Sequence, residues 1–328
     1  MTRPRLVLDL TPTLERELFD DPALARLAAE TELCRPGARR PGERERLDAD
    51  ILVTGWGSKP LPPTRDAADR LQLVAHTAGT VRWLVPKTLV SDGVRVTQAA
   101  AGMAMSVAEE ALYFTQSLLR HLYAVDRAMV RGDWEAAQRF GLGKTVSGTH
   151  IGVIGASRVG RSYIELVAAL GAEVLLYDPY VSRSEARDLG VELAELDDIF
   201  LSSEAVALHA PVTPETRGMV SAARLAMLRD GAVFVNTARS AMVDTAALIR
   251  ELRSGRLSAA LDVFDMEPLP TDDPLWTLPN VMLTPHIGAA TVQSRRTQGM
   301  IVIEEIERYL AGVGLRFEVD ESNYDRLA

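Results

Sequence analysis

Between the apolar run Ile151–Ile154 and the amphipathic stretch Arg158–Leu170 lies Gly155-Ala156-Ser157-Arg158-Val159-Gly160, and Asp178 closes the next apolar run, Val174-Leu175-Leu176-Tyr177. Strand, glycine turn, helix, strand and acid, in that order, specify a dinucleotide-binding βαβ unit. The first glycine permits a tight turn, the second place lets a pyrophosphate approach the backbone, and the third lets helix and strand pack closely. Gly155 and Gly160 fill the outer places, and the small residue Ser157 stands in the middle one. Amides at the start of the following helix favour an anion. Asp178 comes eighteen positions after Gly160, near the ~20 expected. A carboxylate there accepts the ribose hydroxyls of NAD and repels the extra phosphate of NADP. Gly155, Ser157, Arg158, Val159, Gly160 and Asp178 are therefore candidate cofactor contacts, with NAD as the cofactor.

Short apolar runs alternate with helical stretches along the whole chain, the pattern of an α/β protein with parallel sheets. The first hundred residues predict strands at Leu6–Leu10, Asp50–Thr54, Gln72–His76 and Val94–Thr97, with helices over Thr13–Ala29 and Thr64–Leu71. The charged segment Arg35–Arg46 reads as a surface loop, and Met105–Arg131, free of Pro and Gly and ended by Gly132, as one long linker helix. A second series follows: strands His150–Ile154, Glu173–Tyr177, Ala205–Leu208, Ala232–Asn236, Ala259–Val263 and Val281–Thr284, with helices at Arg158–Leu170, Ser221–Leu228 and Asp244–Ser254. A last helix, about Thr291 to Leu310, is expected to return to the first domain. The expected fold is α/β: a Rossmann-type, doubly wound parallel-sheet cofactor domain over 101–288, with a smaller, discontinuous, flavodoxin-like substrate domain over 1–100 and 289–328.

At 328 residues, 47% hydrophobic and 25% charged, the chain has apolar material for two cores. A net charge of −9 argues against a general nucleic-acid binder, because phosphate affinity needs clustered cations. Cys34 is the single cysteine, which rules out an intrachain disulfide and a cysteine-based zinc site; no metal is expected. The opening Met1-Thr2-Arg3-Pro4-Arg5, then Leu6–Leu10 with Asp9 inside it, has too short an apolar run for a signal peptide. No window approaches the ~18 apolar residues of a bilayer span. The expectation is a cytoplasmic protein without a membrane partner.

Three short settings in the last third carry an arginine, a carboxylate and an imidazole. They read Asn236-Thr237-Ala238-Arg239-Ser240, Leu261-Asp262-Val263-Phe264-Asp265-Met266-Glu267-Pro268 and Leu283-Thr284-Pro285-His286-Ile287-Gly288. Reduction of a 2-oxo acid by hydride needs a proton donor that works near neutral pH, which histidine supplies. A carboxylate beside an imidazole fixes the ring and favours its charged form. Arginine, always charged and forked, binds a carboxylate and polarises a keto oxygen. Two of the settings follow the carboxyl ends of predicted strands, where open α/β sheets bind ligands. His286 is the candidate acid/base, Glu267 its partner and Arg239 the substrate clamp.

Together with the glycine turn, these settings resemble the D-2-hydroxyacid dehydrogenase family over most of the chain. The resemblance implies further contacts. Leu208-His209-Ala210-Pro211-Val212-Thr213-Pro214-Glu215-Thr216 is similar to a family loop that passes the cofactor, which implicates Ala210, Pro211 and Thr216. Thr237, Ala238, Asp262 and Gly288 are similar to positions around the nicotinamide half. Ala78-Gly79 resembles the turn whose backbone N–H groups hold the substrate carboxylate. The helix Met105–Arg131 and Trp134 resemble a dimerisation arm, implying a homodimer. The chain departs from the family at Arg82-Trp83, where an acid is common, and at Met103, where many members carry asparagine. With Trp56, these residues imply a more apolar pocket than a phosphoglycerate enzyme needs. The expected activity is reduction of a small 2-oxo acid to the 2-hydroxy acid. A non-catalytic NAD-sensing regulator of the same fold and a reductase for an unusual oxo acid in a specialised pathway stay open. Formate oxidation is disfavoured, because such enzymes usually carry glutamine where Glu267 stands.

Overall fold

Apolar runs of three to five residues, most of them buried on both faces, build two parallel sheets in the computed structural model, which describes residues 3–325. Residues 1, 2 and 326–328, the outer ends of the expected substrate domain and of the Met1-Thr2 start, lie outside the described residues. The chain divides into two compact units, Met1–Met103 with Ala290–Ala328, and Ala104–Ala289.

In the first unit, strands β1 (Arg5–Asp9), β2 (Glu32–Cys34), β3 (Ile51–Thr54), β4 (Leu73–His76) and β5 (Arg95–Gln98) lie in the order β2-β1-β3-β4-β5, the flavodoxin-like order. Register makes the two cores. Val7 pairs with Leu52, Leu52 with Val74 and Val74 with Val96, and all four sit on one face. The alternate residues Leu6, Leu8, Ile51, Val53, Leu73 and Ala75 fill the other face. Such near-continuous apolar strands are what a sheet covered on both sides requires. The helix Val292–Leu310 returns to this unit and packs Val302, Ile303 and Ile306 into that second core.

The second unit holds β6 (His150–Ile154), β7 (Glu173–Tyr177), β8 (Glu192–Leu193), β9 (Ala205–Leu208), β10 (Val233–Asn236), β11 (Ser258–Leu261) and β12 (Val281–Leu283). Their order is β12-β11-β10-β9-β6-β7-β8. The chain runs outward from β6 through β7 and β8, then restarts at β9 on β6's other side. That reversal is the switch point beside which doubly wound sheets bind dinucleotides. Helices Ala104–Leu119 and Arg158–Ala169 cover one face through Phe114, Leu118, Tyr163 and Val167. Ile199, Phe200, Leu225, Leu248 and Leu252 cover the other.

Four expectations are corrected. Thr13–Ala29 is not one helix but two, Pro12–Leu18 and Asp21–Glu30, with Phe19 and Asp20 extended between them and the Asp20 carboxylate capping the second by accepting from Ala23 N at 2.9 Å. Met105–Arg131 is not one helix: it divides into Ala104–Leu119 and Leu122–Val130, with His121 left-handed at φ 56°. The returning chain causes the break, because Lys144 N donates to Leu119 O at 2.8 Å, and only a glycine at 143 lets the strand pass Arg120 so closely. Arg35–Arg46 is not wholly a loop, since Glu43–Leu47 is helical and the Arg46 guanidinium is buried against Asp9 at 3.3 Å. Thr64–Leu71 forms turns rather than a helix. There the Asp69 carboxylate takes the Asp66 amide at 2.8 Å, a side-chain bond that competes with helical pairing.

Candidate active site

The glycine turn follows β6. Gly155 has φ +97°, and a Cβ there would lie 2.6 Å from the Ala210 backbone; one on Gly160 would lie 2.0 Å from Gly155 O. Both positions exclude a side chain. Ser157 caps the helix Arg158–Ala169 by accepting from Gly160 N at 3.3 Å, and its own hydroxyl hydrogen is still available to a phosphate. Arg158 is exposed and Val159 partly so at the start of that helix.

Asp178, at the end of β7, folds back on the turn. Its Oδ2 accepts from Ala156 N at 2.7 Å and its Oδ1 from Tyr180 N at 2.8 Å. Each oxygen retains a lone pair for a ribose hydroxyl. Beside Gly155 runs the loop after β9, braced by Thr216 Oγ1, which donates to Pro211 O at 2.6 Å. His209 lies fully buried beneath it, 4.8 Å from the Tyr163 ring, and burial lowers its pKa to about 3.

Beyond β10, the Asn236 side chain bridges the next loop. It donates to Arg239 O at 3.1 Å and accepts from Ala238 N at 3.0 Å. Arg239 Nη1 donates to Ala238 O at 2.6 Å. The Thr237 hydroxyl is buried with no partner among the described residues, a polar group that a ligand would satisfy.

His286 and Glu267 meet. His286 Nδ1 and Glu267 Oε2 are 2.7 Å apart, and Glu267 Oε1 is anchored by Phe264 N at 3.0 Å. His286 adopts φ 56°, a left-handed conformation uncommon for a residue with a side chain. Asp262 holds the backbone on either side. It is 2% exposed, and it accepts from Thr284 Oγ1 at 2.7 Å, Ile287 N at 2.8 Å and Gly288 N at 3.0 Å. Asp262, expected as a cofactor contact, thus has three donors inside the protein. Gly288 O accepts from Ser106 Oγ at 2.6 Å.

In the first unit, Ala78 and Gly79 follow β4 in a bend, where Ala78 O accepts from Ala99 N at 2.9 Å. His76, at the end of β4, is buried, hydrogen-bonded to Thr54 Oγ1 at 3.0 Å, and lowered by burial to about 4. Trp56 and Trp83, after β3 and β4, are 42% and 44% exposed.

One residue escaped the sequence reading. Glu110 sits on the helix Ala104–Leu119, facing Asp262. Its place on the apolar stripe Val107, Ala111, Phe114, Leu118 was the available signal.

A switch-point glycine turn with an acid at the end of the neighbouring strand is the arrangement of a dinucleotide-binding fold, and the same unit holds an imidazole hydrogen-bonded to a carboxylate. Residues 112–288 match the family described as D-isomer specific 2-hydroxyacid dehydrogenase, NAD binding domain. The D-3-phosphoglycerate dehydrogenase of Methanocaldococcus jannaschii is 33% identical over 81% of this chain and 50% of its own length. The hydroxypyruvate reductase of Thermotoga maritima is 33% identical over 80% of this chain and 85% of its own. A D-2-hydroxyisocaproate dehydrogenase structure superposes with a TM-score of 0.84 at 23% identity, covering 96% of this chain and 98% of that one, which bears on the fold. The chain belongs to the D-isomer-specific 2-hydroxyacid dehydrogenase family and carries its NAD-binding domain. It spans about half the length of the curated phosphoglycerate dehydrogenases it matches. No helix among the described residues is long and apolar enough to cross a membrane.

Proposed function

We propose that this chain is an NAD-dependent D-2-hydroxyacid dehydrogenase that reduces a small 2-oxo acid, with His286 as acid/base. The observation that carries the reading is the 2.7 Å contact between His286 Nδ1 and an anchored Glu267. With Nδ1 held by the carboxylate, Nε2 is the nitrogen that protonates the keto oxygen, and in the oxidative direction it takes the hydroxyl proton. Arg239 binds the substrate carboxylate and polarises the carbonyl.

Gly155, Ser157, Arg158, Val159 and Gly160 would hold the pyrophosphate, and Asp178 the ribose. Ala210, Pro211, Thr216, Thr237, Ala238, Asp262 and Gly288 would border the remainder. The fit rests on two places that leave no room for a Cβ and on the unpartnered Thr237 hydroxyl. When bound, NAD donates or accepts the hydride at C2.

In the first unit, the Ala78–Gly79 turn is proposed to offer backbone N–H groups to the substrate. The exposed Trp56 and Trp83 favour an acid with an apolar side chain over a phosphorylated one. A homodimer is proposed through the helical arm after Ala104, supported by Val130 at 81%, Trp134 at 61% and Leu142 at 99% exposure. A cavity of about 370 Å³ between Tyr113, Tyr123, Arg127 and Met282 opens on the same arm. The reading includes a cytoplasmic location.

The test is NADH oxidation over a panel of 2-oxo acids, aromatic, branched and phosphorylated. Turnover of apolar acids is expected. Tight NADH binding with no turnover of any acid would replace this reading with the regulator.

A further inference from the structure

We propose that Glu110 is a positioning residue for His286: its protonated carboxyl donates to Asp262 and completes the set of hydrogen bonds that holds the Thr284–Gly288 turn. The inference rests on the proposed function only for its kinetic arm.

Three observations carry it. Glu110 reaches the turn itself, since a Cβ built on Gly288 would lie 2.5 Å from Glu110 Oε2 and 3.3 Å from Asp262 Oδ2. Only a glycine at 288 admits the two carboxyl groups together. Second, Glu110 Oε2 is buried and has no donor among the described residues, so as a carboxylate it would bear an uncompensated charge. Third, Asp262 already accepts three donors that bracket His286, namely Thr284 Oγ1, Ile287 N and Gly288 N. Those bonds use the Asp262 oxygens as acceptors, and the proton of the pair resides on Glu110.

Burial first, and the Asp262 charge second, push the Glu110 carboxyl up to about 7, while the Thr284 hydroxyl opposes the rise. Asp262 and Thr284 face it from the strand side. On its own helix Glu109 is exposed, and Ser106 is committed to Gly288 O. Tyr163, on the helix packed alongside, turns its hydroxyl to Thr115 at 2.7 Å.

The consequence concerns backbone strain. A residue with a side chain stays in the left-handed region only where its surroundings over-determine it. Asp262 does this for His286, and a proton on Glu110 keeps Asp262 in place. Loss of that proton sets two carboxylates against each other under the turn. A shift of that turn moves the imidazole from its working position without touching the nucleotide contacts at Gly155 and Asp178.

The experiment compares the full chain with Glu110→Gln, which donates at every pH, and Glu110→Leu, which never donates. The first readout is the melting temperature from about pH 5.5 to 8.5, needing neither substrate nor cofactor. The folded state holds the Glu110 proton more tightly than the unfolded chain, so stability falls as pH rises toward about 7 and levels off above it. The wild type should therefore lose melting temperature relative to Glu110→Gln up to about pH 7, with the gap constant above it. The second readout is kinetic. Glu110→Leu should lower kcat by roughly ten- to a hundredfold, the scale of a small misplacement of a reacting group. Glu110→Gln should recover most of the loss. A wild-type-to-Gln gap that does not change with pH overturns the protonated carboxyl. Equal kcat in the wild type and Glu110→Leu overturns the positioning role. If no oxo acid is reduced, the proposed function fails, and the melting arm still decides where the proton lies.

Discussion

Lowering the pH from about 7.5 to 5 should cost the second unit stability through one side chain, His209. Both of its ring nitrogens are buried and lack a partner among the described residues, and burial lowers its folded pKa from 6.5 to about 3. The unfolded chain therefore takes up the proton first. Stability is complete above about 6.5, falls as pH drops below it, and stops falling once the folded pKa is passed. At pH 5 the unfolded imidazole is almost fully charged while the folded one is neutral, which amounts to about 2 kcal/mol. For a unit of this size that is about 4–8 °C in Tm. The same argument gives His76, lowered to about 4 in the first unit, about 2 kcal/mol of its own. Scanning calorimetry on the wild type and His209→Leu at both pH values isolates the term. Leucine removes the titration and leaves no partner unpaired, and any cavity cost is the same at both pH values and cancels. The Tm drop between pH 7.5 and 5 should be smaller in the variant by that 4–8 °C. Equal drops would show that the folded protein protonates His209 as readily as the unfolded chain, and the reasoning would fail.

Other perturbations separate the parts of the site. His286→Ala should cut kcat by about two to four orders of magnitude, the usual contribution of a general acid, while NADH affinity measured by fluorescence stays near wild type; near-normal reduction would remove His286 from the mechanism. Asp178→Ala should narrow the preference for NADH over NADPH, read as the ratio of kcat/KM for the two, and equal ratios in the unmodified protein would remove the basis for NAD selectivity. Gly160→Ala places a methyl 2.0 Å from Gly155 O, so it should weaken NADH binding and destabilise by about 1–3 kcal/mol, as overpacking does; unchanged NADH affinity would show that the turn does not set it. Sedimentation should give a dimer that Val130→Glu with Leu142→Glu converts to monomer, and a wild-type monomer at micromolar concentration would end the dimer proposal.

How much of this was legible beforehand depends on how far apart the deciding residues lie. The chain alone determined the strands of both sheets that are four or five residues long, because their apolar runs have no other use than a sheet covered on both faces. It also determined the glycine turn, the acid at the end of β7, and the settings of Arg239, Glu267 and His286, since each is a local pattern. Only the tertiary structure decided the rest. The break at His121 needs the Lys144 amide on Leu119 O. The helix at Glu43–Leu47 exists because Arg46 buries its guanidinium against Asp9. The left-handed His286 is held by Asp262, and the place of Glu110 depends on a glycine on a distant loop. Local spacing encodes which segments become strands and turns. The charge state of a buried carboxyl is set by what the fold packs around it, and no local pattern carries that information.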